Sequence, residues 1–509
     1  MRIFRAIRCR SGSYDRTAMS DTVLDLYQSH SYPAMSHPAC DPATTAVAAK
    51  LAGLTVPPPS CARILEIGCS SGHNLLPLAQ RWPDSQFIGI DFSPAAIQQA
   101  RETARLAGIE NIEFHEADLR NYDPGEDGFD FILAHGFYSW VPADIRQALV
   151  DFCARHLTAE GIATISYNTL PGWKQRQTVV DLVRQLAARP VAGTIGQDPA
   201  GILAYLATIP AGDSPDAVQL NSVLHDMFAK SADILAFDDF GPVNHPVTFT
   251  GFISHTHAAG LRYLGESELH ANFPLSLPPG AAEALAPLAG DPLMLQQTID
   301  VLTNRTFRSS LLCRADAPVD TRLTTATALH FAVRGLHTFE RTPQGGRLVD
   351  HEGKEQGQFE HPLAVAFFSA LAATSPEAVP MQEILERVAA IPAAQFDPTV
   401  SLPPIARLVM DAARQKLIEL RIEPVRFDGS IPRTPKFDTL RQLAVQRQQA
   451  LVDIYHAPCT VPDSRRTVVR AMDGTRTVEE LAALAHVDHP RLDVRAWLAH
   501  LAARGLFVK

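Results

Sequence analysis

The chain has 509 residues, of which 46% are hydrophobic and 20% charged, and its formal net charge is −10. That length is too great for one hydrophobic core, so about three domains are expected. The acidic balance argues against a general nucleic-acid binder, and no apolar run approaches the length of a membrane span, so no membrane insertion is expected. Seven scattered cysteines without a C-x-x-C pair point to reduced thiols in the cytoplasm, with no disulfide framework and no metal site.

Met1 to Arg10 carries four arginines but no apolar stretch. It reads as the start of a disordered tail over 1–20 and not as a secretory signal, with Met19 as an alternative start. The first informative element is Arg63-Ile64-Leu65-Glu66-Ile67-Gly68-Cys69-Ser70-Ser71-Gly72-His73-Asn74. A short apolar run ends in a carboxylate, a loop with two glycines follows, and a helical pattern opens at Asn74. Glycine lets the backbone turn sharply and approach a ligand closely. The spacing E-x-G-x-x-x-G is not the G-x-G-x-x-G of dinucleotide binders. An acid ahead of such a loop suits a ligand with a free amine, and S-adenosylmethionine (SAM) is one.

Phe87-Ile88-Gly89-Ile90-Asp91 reads as a second strand, and Asp91 lies 23 positions after Gly68. An acid there reaches ribose hydroxyls in a Rossmann-like unit. Phe92 follows it, and Ser93-Pro94 opens a helix to about Ala107. A third strand, Ile112 to Glu116, leads into Asp118 and Leu119, where an acid can accept from the adenine amine. A fourth, Phe129 to Ala134, runs into His135-Gly136-Phe137-Tyr138-Ser139-Trp140. One ligand across the carboxyl edge of a parallel sheet explains three acids at successive strand ends. The expected cofactor set is Glu66, Gly68, Cys69, Gly72, Asn74, Asp91, Phe92, Asp118, Leu119 and His135.

Residues 142–157 read as a helix and 161–167 as a fifth strand. Residues 174–245 read as a helical insertion, and 246–315 as the return to the same sheet through strands at 261–264 and 307–312 around a helix at 292–304. A separate regulatory domain is the alternative. The fold class is therefore α/β: a Rossmann-like, seven-stranded class I methyltransferase sheet within 21–320, with a helical insertion. Winged-helix-like α+β modules are expected at 321–427 and 428–509. The second expects helices at 465–472, 477–485 and 493–503, ending in a strand-like Leu506-Phe507-Val508. Their weak basic excess makes no phosphate-binding stripe, so protein contact is favoured over DNA.

Ser36-His37-Pro38, the Glu66–Asn74 segment, His135-Gly136-Phe137-Tyr138-Ser139-Trp140-Val141-Pro142, Ser166-Tyr167-Asn168-Thr169-Leu170-Pro171-Gly172-Trp173 and Asn304-Arg305-Thr306-Phe307-Arg308 together resemble bacterial methyltransferases with a methyltransferase regulatory domain. Tyr32-Pro33 belongs to the same pattern. The resemblance covers roughly 20–320 and implies a SAM-dependent enzyme related to rickettsial-type protein lysine methyltransferases, which act on outer-membrane proteins. It also implies a protein substrate and a possible homodimer. The two loops that would face the methyl group supply an aromatic acceptor site of Tyr138, Trp140, Tyr167, Asn168 and Trp173. Aromatic faces favour a cationic ammonium, and an apolar wall helps a lysine lose its proton. The alternatives are a small-molecule O- or N-methyltransferase and a non-catalytic SAM-binding regulatory protein.

Overall fold

A computed structural model describes residues 34–189, 195–196, 198–272, 277, 280–320, 325–488 and 493–508. The expected tail at 1–20 and Tyr32-Pro33 lie outside the described residues.

Seven strands form the central sheet: β1 (Arg63–Ile67), β2 (Gln86–Asp91), β3 (Ile112–Glu116), β4 (Phe129–Ala134), β5 (Leu157–Asn168), β6 (Leu261–Glu266) and β7 (Phe307–Arg314). Their order is β3-β2-β1-β4-β5-β7-β6. The first five run parallel, while β7 lies antiparallel between β5 and β6. This is the class I methyltransferase sheet, and the strand, helix, strand return after the insertion is borne out. The order reverses direction between β1 and β4, and ligands bind such sheets outside the carboxyl ends at that switch point.

The runs that form β1, β2 and β4 are largely apolar because both faces of the central sheet are covered. Ile64, Phe87 and Phe131 share one core with Leu75, Leu76 and Ile97, whereas Leu65, Ile67 and Ile132 share another with Leu149, Phe152 and Phe252. Helices α1 (Pro42–Leu51), α2 (Leu75–Arg81), α3 (Pro94–Ala107) and α4 (Ala143–His156) pack around the sheet. Local chemistry sets the ends of α3. Ser93 caps it through the Ala96 amide, Pro94 occupies its first turn, and Gly108 closes it with φ +68°.

The insertion contains α5 (Gly172–Ala187), α6 (Pro199–Ala207) and α7 (Pro215–Phe228). They bury a small core of their own around Val180, Val183, Ile202, Leu203 and Met227. The chain rejoins the sheet through α8 (Phe249–Ala258), β6, α9 (Pro292–Leu302) and β7.

Downstream, the order departs from the expected one. β8 (Ala332–Gly335) comes first, followed by a meander of β9 (Thr338–Thr342), β10 (Gly345–Val349) and β11 (Glu355–Phe359). Then come α10 (Pro362–Ala372), β12 (Val379–Pro380), α11 (Met381–Ala389), α12 (Pro398–Arg414) and β13 (Ile418–Arg421). The sequence also reads as helices at 362–373, 381–388 and 404–416; the first two stand there and the third begins earlier, at Pro398, while β8 is the central strand between β12 and β13 and the meander is an addition. The last part holds α13 (Thr439–Gln446), β14 (Leu451–Val452), β15 (Pro458–Cys459), α14 (Arg466–Arg470), α15 (Val478–Asp488) and α16 (Val494–Ala503). Leu506-Phe507-Val508 is not a strand: Leu506 is buried in the local core, and the Val508 amide bonds the Lys436 carbonyl.

These parts are joined through buried polar contacts. Asp41, which caps α1, pairs with Arg81 and with the fully buried Arg421 of β13. Arg447 bonds Thr103 of α3 at 2.7 Å.

Candidate cofactor cleft

A cavity of about 280 Å³ lies at the carboxyl edge of β1, β2 and β4. Its floor is the loop after β1. Gly68 has φ +75°, and a Cβ there would meet the Phe137 ring at 2.7 Å. Glycine is therefore required both for the turn and for the contact. The amides of Gly68 and Cys69 bond the Ile90 carbonyl, and the Ser70 amide bonds Asp91 Oδ2 at 2.9 Å. Asp91 Oδ1 accepts from the Ser93 amide. The carboxylate thus anchors backbone amides on both oxygens and keeps capacity for a further donor. Burial raises the Asp91 pKa, against the pull of those backbone bonds.

Glu66 sits beneath the loop, 4% exposed. Its Oε1 accepts from Asn74 Nδ2 at 2.7 Å, while its Oε2 is buried without a partner. Burial pushes its pKa up to about 8, opposed by the Asn74 bond and reinforced by Asp91. A cationic amine reaching Oε2 would satisfy that oxygen and restore its charge. At the other end lie Phe92, Leu119 and Asp118. Asp118 is held by Arg120 Nε at 3.0 and 3.1 Å, which lowers its pKa.

Of the expected cofactor residues, Glu66, Gly68, Cys69, Asn74, Asp91, Phe92, Asp118, Leu119 and His135 line the cavity. Gly72 does not; its φ is +78°, and a Cβ there would strike the Phe114 ring at 2.7 Å, so it serves packing. Cys69 is buried, and burial raises its thiol pKa, so it is no nucleophile.

The expected aromatic acceptor site needs correction. Trp140 lines the cavity, but Tyr138 and Tyr167 do not. Both tyrosines are buried in the core beside Phe252: the Tyr167 ring stacks on it at 3.9 Å, and that of Tyr138 meets it edge-on at 5.1 Å. Their hydroxyls bond Ser310 and His255. Alternation along β5 explains Tyr167, because its neighbour Ser166 faces the loop and accepts from the Gly136 amide. Asn168 is buried and donates to Asn244. Trp173 is buried edge-on against Trp140, with ring centroids 5.9 Å apart.

His37 was not among the expected site residues, although its motif carries the resemblance. Its ring stacks on His135 at 3.8 Å, its amide bonds Asn74 Oδ1, and Phe307 tilts onto His135 at 5.6 Å. Burial lowers the His37 pKa to about 4 and keeps His135 neutral, with His135 Nδ1 buried and unpartnered. Met35, Phe137 and Trp140 complete this wall.

Residues 64–161 match the methyltransferase domain family, and 231–314 match a predicted methyltransferase regulatory domain. The chain is 31% identical over 304 residues to an uncharacterized protein of Rickettsia prowazekii (strain Madrid E), covering 59% of this chain and 55% of that one. It is 31% identical over 143 residues to the trans-aconitate 2-methyltransferase of Escherichia coli O139:H28, covering 28% of this chain and 52% of that one. The chain spans about half the length of these curated relatives. The fold is shared with PKMT2 from Rickettsia typhi, solved in complex with AdoHcy: the TM-score is 0.80 at 20% identity, over 94% of this chain and 100% of that one. The chain thus has the class I methyltransferase fold with segments that match a methyltransferase domain and a predicted methyltransferase regulatory domain, and the last two strands of the sheet lie within the second segment.

Proposed function

We propose that this chain transfers a methyl group from SAM to a lysine side chain of a protein. The observation that carries the reading is the free Oε2 of Glu66, buried at the floor of a cleft whose next strand ends in Asp91. An amino-acid ammonium fits the first acid and ribose hydroxyls fit the second. When bound, SAM supplies an electrophilic methyl on a sulfonium.

The protein's part is to bind, orient and exclude water. Glu66 and Asn74 hold the amino-acid end, Asp91 the ribose, and Phe92 and Leu119 the adenine faces. Asp118, already tied to Arg120, keeps one side of the adenine edge polar. Met35, His37, His135, Phe137 and Trp140 form the wall at the amino-acid end. An amine entering there must be neutral to attack. The wall offers little solvation for its charge, and the unpartnered His135 Nδ1 can receive one of its N–H groups. Trp173 backs Trp140 and fixes its ring. The large parts outside the sheet suit a macromolecular acceptor, and the fold shared with PKMT2 from Rickettsia typhi supports that class.

The test is to incubate purified protein with methyl-labelled SAM and a bacterial cell extract. The reading predicts a labelled protein band that yields methyl-lysine on hydrolysis. Label confined to a small molecule would point to a small-molecule acceptor, and failure to bind SAM would overturn the reading altogether.

A further inference from the structure

The turn between β14 and β15 drives one side chain against Asn74, which lines the cleft. Asp453 builds this turn: its Oδ1 accepts from the amides of Tyr455 and Ala457, and its other oxygen pairs with Arg504 at 2.8 Å. The turn holds His456 at φ +64°, a left-handed conformation uncommon outside glycine. Strain of this kind persists only where the surroundings impose it, and it concentrates at sites with a task.

The two residues at the tip point into different partners. The Tyr455 hydroxyl bonds the Pro376 carbonyl at 2.6 Å, and its ring lies under Arg334 at 3.5 Å. His456, fully buried, reaches across 382 residues of sequence and places Nε2 2.8 Å from Asn74 Oδ1. Asn74 Nδ2 already donates to Glu66, so its Oδ1 faces His456 as an acceptor. The Nε2 proton is therefore the donor, and Nδ1 is left buried without a partner. Asp41, Arg81, Arg421 and His37 surround the ring, and burial keeps it neutral, with its pKa lowered to about 3. A ring that never charges in the working range is a fixed donor.

We propose that His456 is a positioning residue for the amino-acid end of the cofactor: its N–H fixes the Asn74 amide, and through it Glu66, so the C-terminal module sets cofactor affinity. This rests on the SAM reading above. The His37 amide donates to the same Asn74 Oδ1 at 2.9 Å, so His456 supplies the second of two donors that hold it; with one donor left the Asn74 amide can tilt, and Glu66 Oε2 loses its aim into the cleft. A merely structural histidine would stabilise the interface without touching affinity.

The experiment measures SAM binding by calorimetry, with melting temperature, for the full chain and for His456→Leu, His456→Gln, Asn74→Ala and the double variant His456→Leu/Asn74→Ala. The proposal expects about tenfold weaker binding for H456L. It also expects recovery to within about threefold for H456Q, which keeps an N–H donor, and a double variant no weaker than Asn74→Ala alone. Unchanged affinity in a folded H456L, or strictly additive losses, would overturn it. Should H456L fail to fold, hydrogen exchange on the wild-type chain decides: SAM should slow exchange at 453–457, and no change there overturns the proposal. Lack of SAM binding by the wild type instead defeats the cofactor reading.

Discussion

Two buried clusters of charge flank the same sheet, and they differ in whether every carboxylate oxygen is bonded. At β6 and β7, Arg308 is fully buried and bonds through each of its three guanidinium nitrogens. It bonds both oxygens of Asp300, Glu266 Oε1 and the side chain of Gln296. Glu266 in turn accepts from Ser309, Ser310 and Tyr263. Around the cleft, Glu66 of β1 and His135 after β4 each keep a buried atom without a partner, as does His456 behind Asn74. Buried polar groups are nearly always bonded. Carboxylates bonded at both oxygens, as Glu266 and Asp300 are, belong to the architecture, whereas a buried carboxylate oxygen left free beside a cavity, as in Glu66, awaits a ligand. Acidity alone does not separate the two, since burial acts on carboxylates in both.

The sharpest way to break this comparison is to open the closed cluster. Arg308→Met leaves Glu266 buried without its cation and Asp300 with only Arg305 at 3.5 Å, and should cost about 3–5 kcal/mol in denaturant unfolding. SAM affinity per folded molecule should stay within about twofold. A large affinity loss in the folded variant would make this cluster part of the site.

The counterpart in the open cluster is Asp91→Ala. Loss of bonds to an ionised acceptor should weaken SAM roughly tenfold or more by calorimetry. Some stability is lost as well, because the Ser70 and Ser93 amides lose their acceptor. Wild-type affinity in this variant would remove Asp91 from the ribose.

A third pair separates wall from core. Trp140→Ala should cut methyl transfer strongly while SAM affinity holds. Tyr167→Phe, which deletes only the hydroxyl bonded to Ser310, should cost ~1 kcal/mol of stability and leave transfer unchanged. Rates measured on labelled protein, beside melting curves, distinguish the two residues.

The sequence was legible where local chemistry is dense. Buried parallel strands are apolar runs bounded by acids and glycines, so β1 to β4 and the loop at Gly68 could be read directly. The return of β6 and β7 followed from what such a sheet needs to finish. Aromatic residues near strand tips were not legible: Tyr138 and Tyr167 look the same as Trp140 until the alternation of β5 turns one toward Phe252. The short, polar meander β9–β11 carried no apolar run to announce it. Nothing in the sequence pairs His456 with Asn74, because a contact across 382 residues leaves no periodic or motif signature.

The central claim is that the open carboxylate of Glu66 receives the cofactor's cationic amine, and proton counting tests it most directly. With its pKa pushed up to about 8, Glu66 is mostly protonated at pH 7 in the free protein. The sign follows from linkage. Because the folded value is raised, Glu66 contributes stability at acid pH that is lost as pH climbs through about 8. A bound cation instead favours the ionised form, so binding at pH 7 must expel a proton and tighten toward pH 8. Calorimetric titration with SAM at pH 7, in two buffers of different ionisation enthalpy, reads this release. The account predicts saturable one-to-one binding with the heat displaced toward the buffer's protonation enthalpy, and loss of that displacement in Glu66→Gln. Equal heats in both buffers for the wild-type chain, or no saturable heat, would contradict it.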